Sequence, residues 1–223
     1  MKIYEKIIQG TDEWKELRHG KVGGSTAKKI MTNLDKPVNT CAVFSQLLAE
    51  KMEDFDPFQS DYQSLAMQRG NEYEPLARDE YERITGYTVK QIGWAELENQ
   101  FVGISPDGLP SMNKSIEIKC PSANTHVDYM LDFNSFLEEY CWQIVHNFLV
   151  LDVDSVDCIS YRPENKIKPI IIFTVTPDTK IQISKKEVKK VSELVKMLDA
   201  RLIELKSALD AEIENQKNKQ IKF

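Results

Sequence analysis

The chain has 223 residues, 41% hydrophobic and 29% charged, an ordinary globular balance at a length that suits one domain with a sizeable core. No run of about eighteen apolar residues occurs, so no membrane span is expected, and the start, MKIYEKIIQGTDEW, lacks the charged-then-apolar layout of a secretion signal, so the cytoplasm is the expected location. The net charge of −6 argues weakly against nucleic acid, yet it is compatible with a site that collects carboxylates around cations while basic residues group elsewhere.

In chain order, Thr11–Leu17 reads as a short helix capped by Thr11 or Asp12. The glycine-containing loop HGKVGGS follows, with Ser25 placed to cap a helix from Thr26 to about Asn33. A further helix covers roughly Cys41–Met52, and EDFDPFQSD, residues 53–61, is turn-like. Ser64–Thr85 has the pattern of a long helix stopped by Gly86. Three strands are predicted next, Thr88–Trp94, Gln100–Ser105 and Ser115–Cys120, the last two joined by the hairpin-like loop DGLPSMNK. Phe136–Leu151 is helical by periodicity, Ser155–Tyr161 and Ile170–Thr176 are β-rich, and a helix from about Lys185 to Asn215 closes the chain. Its apolar residues at 188, 191, 195, 198, 202, 205 and 209 suit either docking on the protein's own core or a coiled-coil or subunit contact. This order predicts an α/β (α+β) fold, a central mixed β-sheet flanked by helices, in a single domain over 1–223 with an N-terminal helical segment over 1–60. The four cysteines, Cys41, Cys120, Cys141 and Cys158, are too scattered for a zinc ribbon or an iron–sulfur clip and are expected reduced.

The chemistry concentrates in GISPDGL…SIEIKCP, residues 103–121. Alternate side chains of a strand share a face, so Glu117 and Lys119 point one way and Ile116, Ile118 and Cys120 the other. A hairpin would return Asp107 to the side of Glu117. Two carboxylates and an ammonium in one pocket are costly unless paired or holding a metal. Mg²⁺ prefers oxygen ligands and keeps several waters, so Asp107, Glu117 and the Ile118 carbonyl could supply three positions, and Mn²⁺ would accept the same set. Lys119 would orient an attacking water and stabilise charge growing on a phosphate. A surface hairpin with an ordinary Glu–Lys pair shows the same bare pattern.

SPDG followed by EIKCP resembles the active site of PD-(D/E)xK nucleases, and more narrowly of the lambda exonuclease family, the YqaJ-type viral recombinases. QGTDEWKELRHGKVGGS (9–25), RGNEYEPLAR (69–78) and EEYCWQIVHNFLV (138–150) resemble three further motifs of that family, in the same order. The resemblance implies a restriction-endonuclease-like core and roles for particular positions. Glu74 would be a third carboxylate serving a second metal; alone it reads as an exposed helix glutamate. Arg18 and Ser25 would grip a 5′-terminal phosphate, as a guanidinium and a helix start can; alone they read as a solvated charge and a plain cap. Gln143 would position the nucleophilic water or a phosphate, although Val145 stands where the family often has a second glutamine. His146 is expected to be structural, His126 either approaches substrate or is a loop histidine, and Trp14 is expected to pack in the core and hold the Arg18 segment.

The activity implied is metal-dependent 5′–3′ digestion of one strand of double-stranded DNA to mononucleotides, leaving a 3′ overhang for recombination by single-strand annealing. Double-stranded DNA ends as substrate, a homo-oligomer (trimer) and a single-strand annealing protein as partner follow from the same resemblance, with the bacterial host cytoplasm as location if a phage encodes the chain. The alternatives are a related endonuclease of the same fold and a catalytically silent DNA-end-binding or scaffold protein.

Overall fold

The computed structural model describes residues 1–58, 64–184 and 187–219. Along the chain run β1 (Lys2–Tyr4), α1 (Asp12–Arg18), α2 (Gly24–Ile30), a 3-10 turn (Val38–Thr40), α3 (Phe44–Met52), α4 (Leu65–Thr85), β2 (Trp94–Glu96), β3 (Gly103–Ile104), β4 (Gly108–Ser111), β5 (Lys114–Lys119), α5 (Ala123–Leu131), α6 (Asn134–Leu151), β6 (Ser155–Tyr161), β7 (Ile170–Val175), β8 (Lys180–Ser184), β9 (Glu187–Lys190) and α7 (Val191–Asn218).

The site rests on a mixed four-stranded sheet in the order β4-β5-β6-β7. The β5–β6 pair is parallel and the outer two pairs are antiparallel. Parallel neighbours need a long crossover, and α5 with α6 supplies it. Ile116, Ile118, Ile159 and Tyr161 pack on one face with Ala77 and Tyr81 of α4. Val156 and Cys158 join α6 and α7 in the larger core on the other face. Helix α6 buries residues all round its circumference, the pattern of a helix enclosed by its neighbours rather than laid on a surface. Helix α7 turns Leu194, Leu198, Leu202, Leu205 and Leu209 into the same core, so its apolar stripe serves the protein's own interior.

Several local signals hold. Thr11 caps α1 by accepting from Trp14 N, and Gly86 ends α4 at φ +74°; Ser64, read as the first helical residue, is its cap and accepts from Met67 N. Others are corrected. Ser25 is not a cap: α2 starts at Gly24 behind Gly23, leaving Ser25 in the first turn. The hairpin predicted between 100–105 and 115–120 does not form, since β3 pairs with β2 while β5 takes β4, a strand from inside the supposed loop. Gly108 permits this, because a Cβ there would be driven into Val89 and would lie 2.9 Å from Ile116. Residues 88–94 contribute only an isolated bridge at Lys90 and the first residue of β2. Strands β1, β8 and β9 and helix α5 were not anticipated. The closing helix begins at Val191 because β9 occupies 187–190; Lys185, where it was expected to start, lies outside the described residues, as do residues 59–61 of the turn-like stretch and 59–60 of the N-terminal segment. All four cysteines are free. Among the described residues no helix is long and apolar enough to cross a membrane.

Gly103 sets how closely β3 passes Trp94. A Cβ there would enter the indole and lie 2.6 Å from the Ala95 carbonyl oxygen. Overpacking of this kind costs about 1–3 kcal/mol, so Gly103→Ala is expected to lower the unfolding free energy by that amount, read as a lower urea midpoint with an unchanged m-value. An unchanged midpoint would show that the Trp94 wall yields freely.

Candidate active site

Asp107 stands just before β4. Its Oδ2 accepts from the Ile118 N–H at 2.6 Å and its carbonyl oxygen accepts from Arg78 Nε at 3.0 Å. The Gly108–Ile116 pairing carries it to the middle of β5, so it reaches the predicted neighbourhood by an unpredicted strand. Glu117 is 2% exposed. Its Oε2 accepts from Asn147 Nδ2 at 3.1 Å and its Oε1 lies 2.6 Å from Lys119 Nζ. The ammonium also sits over the Tyr140 ring, 4.8 Å from the centroid. Burial opposes the Lys119 charge, but Glu117 and Asp107 outweigh it and hold its pKa above the usual lysine range. Glu74, on α4, accepts from Arg78 Nη2 at 2.6 Å.

The three acids press on one another. The Asp107 pKa is raised well above the ordinary carboxylate value by burial, then by Glu117 and by Glu74. Burial likewise raises that of Glu74; Arg78 and Lys119 pull it back and Glu117 adds to the rise. Among the described residues no three potential ligands already converge as a metal cluster: Glu74 is turned to Arg78, Asp107 to the Ile118 amide and Glu117 to Lys119. The donor chemistry still fits a divalent cation, since mutually repelling carboxylates on hard oxygen atoms are what Mg²⁺ and Mn²⁺ relieve.

A cavity of about 150 Å³ adjoins Glu117 and is lined also by Arg18, Ser25, Gln143, Gln9, Trp14 and Trp94. The structure thus brings the predicted phosphate pair and Gln143 together with one of the predicted metal-binding acids. The Arg18 guanidinium lies 3.9 Å over the Trp14 ring and 5.5 Å from that of Trp94, and its Nε is buried with no hydrogen-bond partner. Burial pulls the Arg18 pKa down to about 10, with Glu50 acting against the fall. A half-buried guanidinium between two indoles, with one N–H left unpaired, has the chemistry to receive an anion. Trp14 is fixed in turn, donating from Nε1 to Ser105 Oγ at 2.8 Å, so it does hold the Arg18 segment, from a half-buried wall.

Sequence reasoning passed over Asn147, Trp94 and Gln9. Asn147 carried a usable signal, one helical turn beyond Gln143 on the same face. His126 and His146 are both structural. His126 is not in a loop but buried in α5, with Nδ1 2.8 Å from Ser160 Oγ and Nε2 2.8 Å from the Lys168 carbonyl oxygen, away from the cavity. His146 is buried with Nε2 2.9 Å from the Gly103 carbonyl oxygen, and burial lowers its pKa to about 4.

Residues 13–154 match the YqaJ-like viral recombinase domain. No curated protein matches the sequence significantly. Among solved structures, an alkaline exonuclease from Laribacter hongkongensis is 25% identical, with a TM-score of 0.73 over 93% of this chain and 96% of that one. The same enzyme in complex with dAMP gives a TM-score of 0.74 at equal identity and coverage. A phage-related exonuclease from Haemophilus somnus 129PT, 17% identical over 88% of this chain and 96% of that one, has a TM-score of 0.59 and shares the fold. The α/β fold with a PD-(D/E)xK-type core expected from the sequence is the fold found.

Proposed function

The chain belongs to the YqaJ-like viral recombinase domain family, and from that premise we propose that it is a divalent-metal-dependent exonuclease that digests one strand of double-stranded DNA from the 5′ end to mononucleotides. The observation that carries this reading is the cavity that joins the Arg18 receptor to Glu117. A 5′-terminal phosphate held at Arg18 and Ser25 would place the adjoining phosphodiester toward Glu117 and the acids beside it.

Asp107, Glu117, Glu74 and the Ile118 carbonyl would hold the ions, Mg²⁺ or in its place Mn²⁺. Bound there, they supply Lewis-acid polarisation of the phosphate and a lowered pKa for the attacking water. Gln143 orients that water through its side-chain amide. Lys119, charged and fixed by Glu117, stabilises the negative charge that gathers on the non-bridging oxygens. Water adds to phosphorus and the P–O3′ bond breaks. The departing oxygen ends as the 3′-hydroxyl of the released nucleotide, and a new 5′-phosphate remains on the shortened strand. That product carries the group Arg18 binds, so each cycle regenerates the ligand for the next.

Family likeness supports the finer parts of the proposal: a 3′ overhang used in single-strand annealing, an annealing protein as partner, a ring-forming trimer and a cytoplasmic setting. A ring around the duplex would make dissociation depend on opening or on running off an end. The test uses linear duplex labelled at one 5′ end, with Mg²⁺, with and without a 5′-phosphate. Release of labelled mononucleotide, faster from the phosphorylated end, supports the reading. Cutting of closed circular plasmid would replace it with an endonuclease, and DNA binding without cleavage in Mg²⁺ or Mn²⁺ with a silent end-binder.

A further inference from the structure

We propose that Asn147 is a positioning residue for the candidate metal ligand Glu117, and that Ser115 fixes the Asn147 amide for that task. The inference rests on the reading of Glu117 as a metal ligand. Ser115 and Glu117 are alternate residues of β5 and so face the same way, toward α6. Asn147 meets both from α6. All three side chains are withdrawn from solvent, Ser115 and Asn147 at 0% exposure and Glu117 at 2%.

The amide has one compatible orientation. Nδ2 donates to Glu117 Oε2 at 3.1 Å and to the Gln143 carbonyl oxygen at 3.1 Å, while Oδ1 accepts from Ser115 Oγ at 3.1 Å. Flipping it would set Oδ1 against a carboxylate oxygen and a carbonyl oxygen, acceptor on acceptor, and would remove the acceptor of the Ser115 hydroxyl. The amide therefore takes one carboxylate oxygen and leaves the other. Glu117 Oε1 is buried with no hydrogen bond of good geometry and has only the Lys119 ion pair beside it. That oxygen is the one available to a cation, and its direction is set by a bond to a neutral donor that does not titrate. Outer partners of this kind orient metal-binding side chains, and losing one typically weakens metal affinity about 10–100-fold.

The test is calorimetric titration of Mn²⁺ into the metal-free full chain, for the wild type, Glu117→Gln, Asn147→Asp, Asn147→Ser and Ser115→Ala. Asn147→Asp keeps the shape but replaces the donor with an acceptor facing Glu117. It is expected to weaken Mn²⁺ binding about 10–100-fold, Ser115→Ala by less, with metal-free duplex affinity unchanged because neither residue reaches the cavity. A purely structural tie between β5 and α6 would lower the melting temperature and leave the Mn²⁺ affinity of the folded fraction intact, which overturns the proposal. Should Asn147→Asp fail to fold, unchanged Mn²⁺ affinity in both Asn147→Ser and Ser115→Ala overturns it equally. If Glu117→Gln binds Mn²⁺ as the wild type does, the ligand reading itself has failed and this inference falls with it. Weakened binding in Glu117→Gln beside unaltered Asn147 variants sinks the Asn147 role alone.

Discussion

Lys119→Ala is expected to slow cleavage about 10²–10³-fold, the usual loss when one preorganised donor to a developing negative charge is removed, while duplex binding persists. The effect is large because, among the described residues, no other cation is placed to substitute. Arg78 is committed to Glu74 and to the Asp107 carbonyl oxygen, and Arg18 stands at the end pocket between Trp14 and Trp94. Lys119 also needs no reorganisation, because Glu117 at 2.6 Å and the Tyr140 ring at 4.8 Å hold the ammonium. Removing it leaves Glu117 buried without its counter-charge, so Lys119→Met, which keeps an apolar chain of similar length, separates lost charge from lost packing. The measurement is the single-turnover rate on saturating phosphorylated duplex in Mg²⁺, alongside fluorescence anisotropy for DNA affinity. Both variants cleaving at the wild-type rate would remove Lys119 from the chemistry, and a loss confined to Ala would make its role one of packing.

The centre of the site was legible because strand periodicity is local. The run SIEIK alternates polar and apolar residues, and the structure places Glu117 beside Lys119 and sends Ile116 and Ile118 into the opposite cluster. Helix ends were legible for the same reason, with Thr11, Ser64 and Gly86 acting within their own turns. What escaped depends on partners distant in the chain. Trp94 faces Arg18 because Gly103 lets β3 pass against its ring, which no window around either residue reveals. Helix α5 is built from ANTHVDYML, poor in strong helix formers, and gains support from Ser160 and the Lys168 carbonyl oxygen at His126. The β4–β5 pairing was missed since DGLPSMNK reads as a loop by composition, yet Met112 and Asn113 alone make the turn between paired Ser111 and Lys114. Asn147 is a polar residue inside an apolar helix, and a buried amide always raises the question of its partners.

Arg18→Ala is expected to abolish the preference for a phosphorylated end. Hydrogen bonds to charged groups contribute about 1.5–3 kcal/mol, so the ratio of rates on 5′-phosphate and 5′-hydroxyl duplexes should fall by about 10–150-fold toward unity, since 1.4 kcal/mol is a factor of about ten. The two substrates differ only in the terminal phosphate, and Arg18 is the cation lining the cavity. Its buried Nε has no partner, and burial has already drawn its pKa down to about 10. A phosphate would therefore meet a guanidinium already partly desolvated, which is why a single side chain can carry so much of the discrimination. Lys119 variants should keep the preference while losing rate, and Arg18→Ala should keep rate on unphosphorylated ends while losing the preference. The Arg18 variant retaining the wild-type ratio would sink the end-pocket assignment without touching Asp107, Glu117 and Glu74. A parallel collapse of both rates would mean that Arg18 supports the chemistry itself, and that the cavity and the three acids act as one site rather than two joined at Glu117.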